Sequence, residues 1–82
     1  MITKIRVPAR YYDFDRACTA SRLAEFTLGL GPCGKVVQSL HSGWRGREEN
    51  IFFIRQVHVD GTEKTFYYRH ADLIGCIEIE ES

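Results

Sequence analysis

The side chains able to do chemistry in this 82-residue chain are few and scattered: Cys18, Cys33 and Cys76, His41, His58 and His70, and the carboxylates Asp13 and Asp15. Nucleophilic or acid–base catalysis needs such groups to converge, and no motif joins them. There is no G-x-S-x-G elbow, no phosphate loop ending in Lys-Ser/Thr, and no H-E-x-x-H. The run Gly29-Leu30-Gly31-Pro32-Cys33-Gly34 is rich in glycine, but Pro32 removes a backbone N–H that a phosphate would use, so it reads as a terminator. A zinc site ordinarily begins from a close pair such as C-x₂-C or H-x₃-H, and none is present. Asp13 and Asp15 alternate along a strand-like stretch, and two carboxylates without further oxygen ligands make a weak cation site. The expectation is therefore no enzyme, no catalytic residue, no metal and no cofactor. The competing reading, a small metal-binding protein or enzyme using Cys and His, needs the fold to bring those residues together.

Binding chemistry is better represented. The stretch from His41 to Asn50 holds the single tryptophan, Trp44, between Gly43 and Arg45, with Arg47 two residues on. Trp, Tyr and Arg are the types most enriched at interaction hot spots. Trp44, Arg45 and Arg47, with Lys35 and Tyr67, are the candidate partner-binding residues. Two uses compete. Trp44 can stack on a nucleic-acid base while Arg45, Arg47 and Lys35 hold phosphates, with Tyr67 or Tyr68 adding a second platform. It can instead anchor a protein interface, with the arginines pairing to acidic groups of the partner. The plain alternative folds Trp44 back over Phe52 or Phe53 and pairs Arg45 and Arg47 with Glu48 and Glu49.

Charge favours the protein partner. Formal net charge is zero, which argues against a duplex-DNA binder that relies on bulk positive charge and against an acidic DNA mimic. Eight of the 11 basic residues are arginines, suited to planar, bidentate contacts. Glu78, Glu80 and Glu81 crowd the C-terminal end, leaving the rest of the chain basic. Three cysteines at wide spacings are no disulfide scaffold, and they predict reduced, mostly buried thiols. No apolar run approaches the ~18 residues of a membrane span, and Lys4 and Arg6 interrupt the place of a secretory signal. A cytoplasmic protein without membrane contact is expected. A chain this short also buries a limited core, so a homo-oligomer is permitted on size alone.

The elements that must position these residues follow from periodicity. Residues 1–82 form a single domain. From Ile5 the chain alternates, with Ile5, Val7, Ala9 and Tyr11 to one side and Lys4, Arg6, Pro8 and Arg10 to the other; Pro8 predicts an edge strand or a break. Between Thr19 and Leu30, Leu23, Phe26 and Leu30 fall at helical spacing, with Thr19 or Ser21 as cap and Gly29, Gly31 and Pro32 as the stop. Gly34 to Leu40 reads as a strand, with residues 41–50 connecting it to a stronger one, Ile51 to Val59. Asp60-Gly61 predicts a two-residue type I′ turn. That turn would pair Val59 with Thr62, Arg55 with Phe66 and Phe53 with Tyr68 on one face, and His58 with Glu63 and Ile54 with Tyr67 on the other. A single turn at His70–Leu73 leads into a last strand, Ile74 to Glu80, whose acidic face could neutralise Lys4 and Arg6.

The expected fold is α+β, a small curved antiparallel sheet of about five strands with one short helix in the N-terminal half. The alternative is an SH3-like or Sm-like small β-barrel. The segment Tyr68-Arg69-His70-Ala71 faintly resembles the Tyr-Lys-His-Ala stretch of bacterial Sm-like RNA chaperones. The upstream glycine-rich signature of that family has no counterpart, so no RNA-binding residue is transferred. The expected function is that of a small non-enzymatic regulatory or adaptor protein acting on a protein partner, for instance a phage-type inhibitor of a host enzyme. A single-stranded RNA- or DNA-binding β module is the alternative.

Overall fold

A computed structural model describes residues 1–31 and 34–82. The expectations that rest on Pro32 and Cys33 lie outside the described residues. The elements are β1 (Ile2–Asp13), β2 (Cys18–Thr27), β3 (Gly29–Leu30), β4 (Val36–Arg45), β5 (Ile51–His58), β6 (Glu63–Arg69), a 3₁₀ turn (His70–Asp72) and β7 (Glu78–Glu81). They make two antiparallel sheets, three-stranded in the order β2-β1-β7 and four-stranded in the order β3-β4-β5-β6.

The alternation read in β1 holds through its first half: Ile5, Val7 and Ala9 are buried and Arg6 is not. Its edge position does not hold, because β1 is the central strand between β2 and β7. Proline is tolerated there for a local reason. In an antiparallel strand a residue's N and C=O point to the same side, and the Pro8 carbonyl accepts from Ile74 N–H at 3.0 Å, away from β2. On that side the β7 ladder has already stopped at the Arg6–Glu78 pair, so no ladder bond is lost. Arg6 lies between Glu25 at 3.2 Å and Glu78 at 3.3 Å. The expected neutralisation is thus made at Arg6, while Lys4, across from Glu80, makes no ion pair among the described residues.

The helix expected between Thr19 and Leu30 is absent; those residues form β2 and β3. The inward set has period two: Ala20, Ala24, Phe26 and Leu28 are partly or fully buried, while Leu23 and Leu30 are 55% and 75% exposed. Small alanines hid that alternation, and three large apolar residues at helical spacing imitated an amphipathic stripe. Pairing decides the matter. All ten residues of β2 pair with β1, from Lys4–Thr27 to Asp13–Cys18. A marginal three-turn helix could not match that ladder.

The Asp60-Gly61 hairpin exists in another turn geometry. Gly61 takes a positive φ of 89°, and Asp60 does not. Gly61 N–H donates to the His58 carbonyl at 3.0 Å, and His58 N–H to the Thr62 carbonyl at 2.8 Å, closing a three-residue loop with a left-handed glycine. The Asp60 carboxylate holds Thr62 through its backbone N–H at 2.9 Å and its hydroxyl at 2.6 Å. The extra loop residue shifts the register by one. Phe53 pairs with Tyr67, Ile54 with Phe66 and Arg55 with Thr65. Such a slip sends every β6 side chain to the face opposite the one expected.

The two sheets share one core: Ile5, Val7, Ala9 and Phe26 from one, Val37, Leu40, Phe52 and Ile54 from the other. Phe26 crosses between them, with its ring centroid 5.0 Å from that of Phe66 and 6.4 Å from that of Tyr68. Among the described residues β7 pairs only with β1 and β6 only with β5, so the strands do not join into one closed ladder. The α+β expectation is thus replaced by two facing antiparallel sheets, and the only helical residues described are the 3₁₀ turn.

Candidate functional site

The register that emerges from the Asp60-Gly61 loop builds a surface on the outer side of the four-stranded sheet. Across its middle run Gly43, Phe53 and Tyr67, one on each of β4, β5 and β6. The rows on either side are Arg45–Ile51–Arg69 and His41–Arg55–Thr65. Gly43 leaves room for Phe53 at its position. A Cβ there would lie 2.9 Å from Phe53 Cε1, so the ring would have to shift from where it lies across β4. On top of the ring sits the Arg45 guanidinium, its carbon 4.3 Å from the centroid, in cation–π contact. Tyr67, alongside, is 61% exposed.

The cations of this face are incompletely matched. Arg69 is held by Asp72 at 2.9 Å. Arg45 and Arg55 make no ion pair among the described residues. Arg55 carries an unmade hydrogen bond as well: its Nε is buried and has no acceptor. Beside it, the His41 ring Nε2 meets the Ser39 hydroxyl at 3.3 Å. Phe53 and Arg55 were not anticipated from sequence, because the expected register paired them with Tyr68 and Phe66 rather than with Tyr67 and Thr65.

The candidate residues read from sequence are distributed over this sheet. Arg45 and Tyr67 come together through Phe53. Trp44, which belongs to β4 and pairs with Phe52, points to the opposite face from its neighbour Arg45. It is 40% exposed, with its ring centroid 5.2 Å from that of Phe52 and 5.9 Å from that of His70. There it walls an open groove of about 450 Å³ with Leu73, Cys76, Ile77 and Ile79. Trp44 thus packs on its own sheet and still borders solvent. Arg47 lies in the exposed turn that follows, and neither it nor Arg45 pairs with Glu48 or Glu49. Lys35 is at the far end of the sheet, near Thr62 Oγ1 at 3.1 Å and Asp60 at 3.7 Å.

Two turns frame the face, and each makes a prediction. Gly46 has φ 97°, and a Cβ on it would fall 2.5 Å from Asn50 Oδ1. Gly46→Ala should therefore destabilise by about 1–2 kcal/mol, read from a urea midpoint. In the other turn, the Thr62 hydroxyl and then its backbone N–H hold the Asp60 carboxyl below its ordinary value. A depressed carboxylate contributes stability above its unfolded pKa of about 3.9 and loses it as pH falls through the folded value. The gap in melting temperature between wild type and Asp60→Ala should be open at neutral pH and close in strong acid.

The whole of this architecture lies inside one family match. The model of the family described as "Enterobacteria phage T3 gene 1.05 protein" matches residues 1–81, from β1 through the end of β7. The chain belongs to that family. It is 44% identical over 69 residues to the "Uncharacterized gene 1.05 protein" of Enterobacteria phage T3, covering 84% of this chain and 73% of the relative. No solved structure gives a significant match.

For this gene 1.05 family member, the remaining chemistry-bearing residues have local explanations. Asp13 Oδ1 accepts from the backbone N–H of Asp15 at 3.0 Å and of Arg16 at 3.3 Å, shaping the β1–β2 turn. His58 is buried, with Nδ1 3.1 Å from Thr62 Oγ1, so it faces the loop rather than Glu63. Cys18 and Cys76 are exposed free thiols, contrary to the buried state expected of them. Among the described residues, no three of His, Cys, Asp and Glu gather as metal ligands, and no helix is long and apolar enough to cross a membrane.

Proposed function

We propose that this member of a phage protein family acts without catalysis, as a regulator or adaptor that binds a protein partner through the outer face of its four-stranded sheet. The observation that carries the reading is the stack of Arg45 on Phe53 beside exposed Tyr67, on a face whose Arg45 and Arg55 make no ion pair among the described residues. Aromatics and arginines with an apolar centre are the composition of interaction hot spots. A phage product of this kind fits an inhibitor of a host enzyme, because a rigid sheet face can occupy an acidic patch without any chemistry of its own. The test is affinity purification from an enterobacterial lysate. A single stoichiometric protein should be retained by the wild type and by Lys35→Ala, and lost with Arg45→Ala/Tyr67→Ala. Equal recovery by all three proteins would refute the reading.

A single-stranded nucleic-acid module is the second reading, supported by the same Phe53–Tyr67 pair, since adjacent strand aromatics can stack successive bases. It requires binding of an oligonucleotide that weakens steeply with salt. Absence of binding at low salt would remove it.

A further inference from the structure

We propose that Arg55 is the anchor of a carboxylate-binding site on the outer sheet face, whose ligand is an aspartate or glutamate side chain of an acidic protein segment. This rests on the reading of that face as the interface and names the chemistry it recognises. Arg55 lies at the centre of β5, across from His41 on β4 and Thr65 on β6, and next to the Phe53–Tyr67 row. Its Nε is shut away from water with no acceptor, although the residue as a whole is only partly buried. Buried donors are nearly always satisfied within a folded protein, so an orphan N–H on a guanidinium points to an acceptor the chain does not supply. Asp72 holds Arg69, Asp60 holds Thr62 and faces Lys35, Glu25 and Glu78 hold Arg6, and no carboxylate pairs with Arg55 among the described residues.

A carboxylate arriving over Tyr67 meets these requirements. Its two oxygens can take the Nε–H and a terminal N–H together once the guanidinium lifts from the surface, the fork geometry that distinguishes arginine from lysine. The Thr65 hydroxyl, one strand away, is a further donor on the same side. Phe53, two residues before Arg55 on the same face of β5, lies beside it with Arg45 stacked on its ring. Two unpaired arginines beside an apolar row suit one or two carboxylates better than a phosphate backbone, whose binding grows with the number of cations engaged.

The experiment follows the Arg55 Nε–H resonance of the ¹⁵N-labelled protein during titration with a blocked hexaglutamate peptide, inorganic phosphate and oligothymidylate. The expected result is a saturable shift with the peptide, at least about tenfold weaker affinity in Arg55→Lys and Arg55→Gln, and a backbone spectrum showing both variants folded. If Phe53 and Tyr67 respond to the peptide but Arg55 does not, or Arg55→Lys binds as wild type does, the anchor is refuted and the interface stands. If no resonance on the face moves, both proposals fall. Tighter binding of oligothymidylate than of the peptide overturns the carboxylate in favour of nucleic acid. Phosphate binding as tightly as the peptide reduces the site to an adventitious ion only.

Discussion

Ile54→Ala is expected to cost about 2–5 kcal/mol and to lower the melting temperature by on the order of 10 °C or more. Ile54 has no solvent exposure and sits where the inner faces of the two sheets meet, so truncation leaves a cavity that backbone on both sides keeps from collapsing. An 82-residue domain has a total stability of only about 5–15 kcal/mol, so such a loss would unfold a visible fraction at physiological temperature. The neighbouring positions on β6 make the test specific to register. Phe66 packs on Phe26 across the core, and Phe66→Ala should be of the same order as Ile54→Ala. Tyr67 faces solvent, and Tyr67→Ala should change stability by about 0.5 kcal/mol. Thermal or urea unfolding of the three variants checks this. A chain paired as the two-residue turn would dictate should show the opposite order on β6.

The second large effect concerns binding. Arg45→Ala/Tyr67→Ala should weaken the partner complex at least about 30-fold, the equivalent of 2 kcal/mol, while leaving the fold intact. Arg45 stacks on Phe53, Tyr67 pairs with it across β5 and β6, and neither contributes to the core, so loss of binding with an unchanged melting temperature isolates the surface role. Lys35→Ala is the matched control. It removes a cation of the same sheet whose contacts, Thr62 and Asp60, belong to the remote hairpin loop. Its affinity should stay within about twofold, since rim charges distant from a hot spot contribute little.

Much of the sheet was legible from the chain because large β-branched and aromatic residues mark it. Ile5 and Val7 in β1 and the run from Ile51 to Val57 in β5 leave little room for another reading. The charge pairing of Arg6 with Glu78 was legible for the same reason, since alternation fixes which side chains share a face. The segment Cys18–Leu30 failed because half of its inward residues, Ala20 and Ala24, are alanine, whose small side chains give a weak periodic signal, while exposed Leu23 and Leu30 gave a strong false one. Tertiary pairing with β1 then overrode local propensity. A cue was available: Ala20, Ala24, Phe26 and Leu28 fall at period two once leucine is not weighted as core by default.

The site was less legible, and one residue in a loop explains why. Asp-Gly serves a two-residue type I′ turn or the end of a three-residue loop, and the choice depends on whether the aspartate adopts a positive φ. Here its carboxylate is engaged by Thr62 and the backbone stays in the ordinary region. The expected register left neither hairpin face apolar, which was itself a sign of mispairing. Moving it by one residue puts Phe52, Ile54, Phe66 and Tyr68 inside and exposes the Phe53–Tyr67 pair. Trp44 is the single tryptophan, yet alternation along β4 turns it away from Arg45 and into the groove beside His70.

The claim that the outer face of the four-stranded sheet is the binding surface is tested most directly by site-specific photocrosslinking. A benzophenone amino acid at Tyr67 is compared with the same group at Leu23, which is exposed on the outer side of the three-stranded sheet. In an enterobacterial lysate the Tyr67 position should yield one discrete crosslinked protein, abolished by Arg45→Ala, and the Leu23 position none. A discrete crosslink from Leu23 with none from Tyr67 would contradict the account.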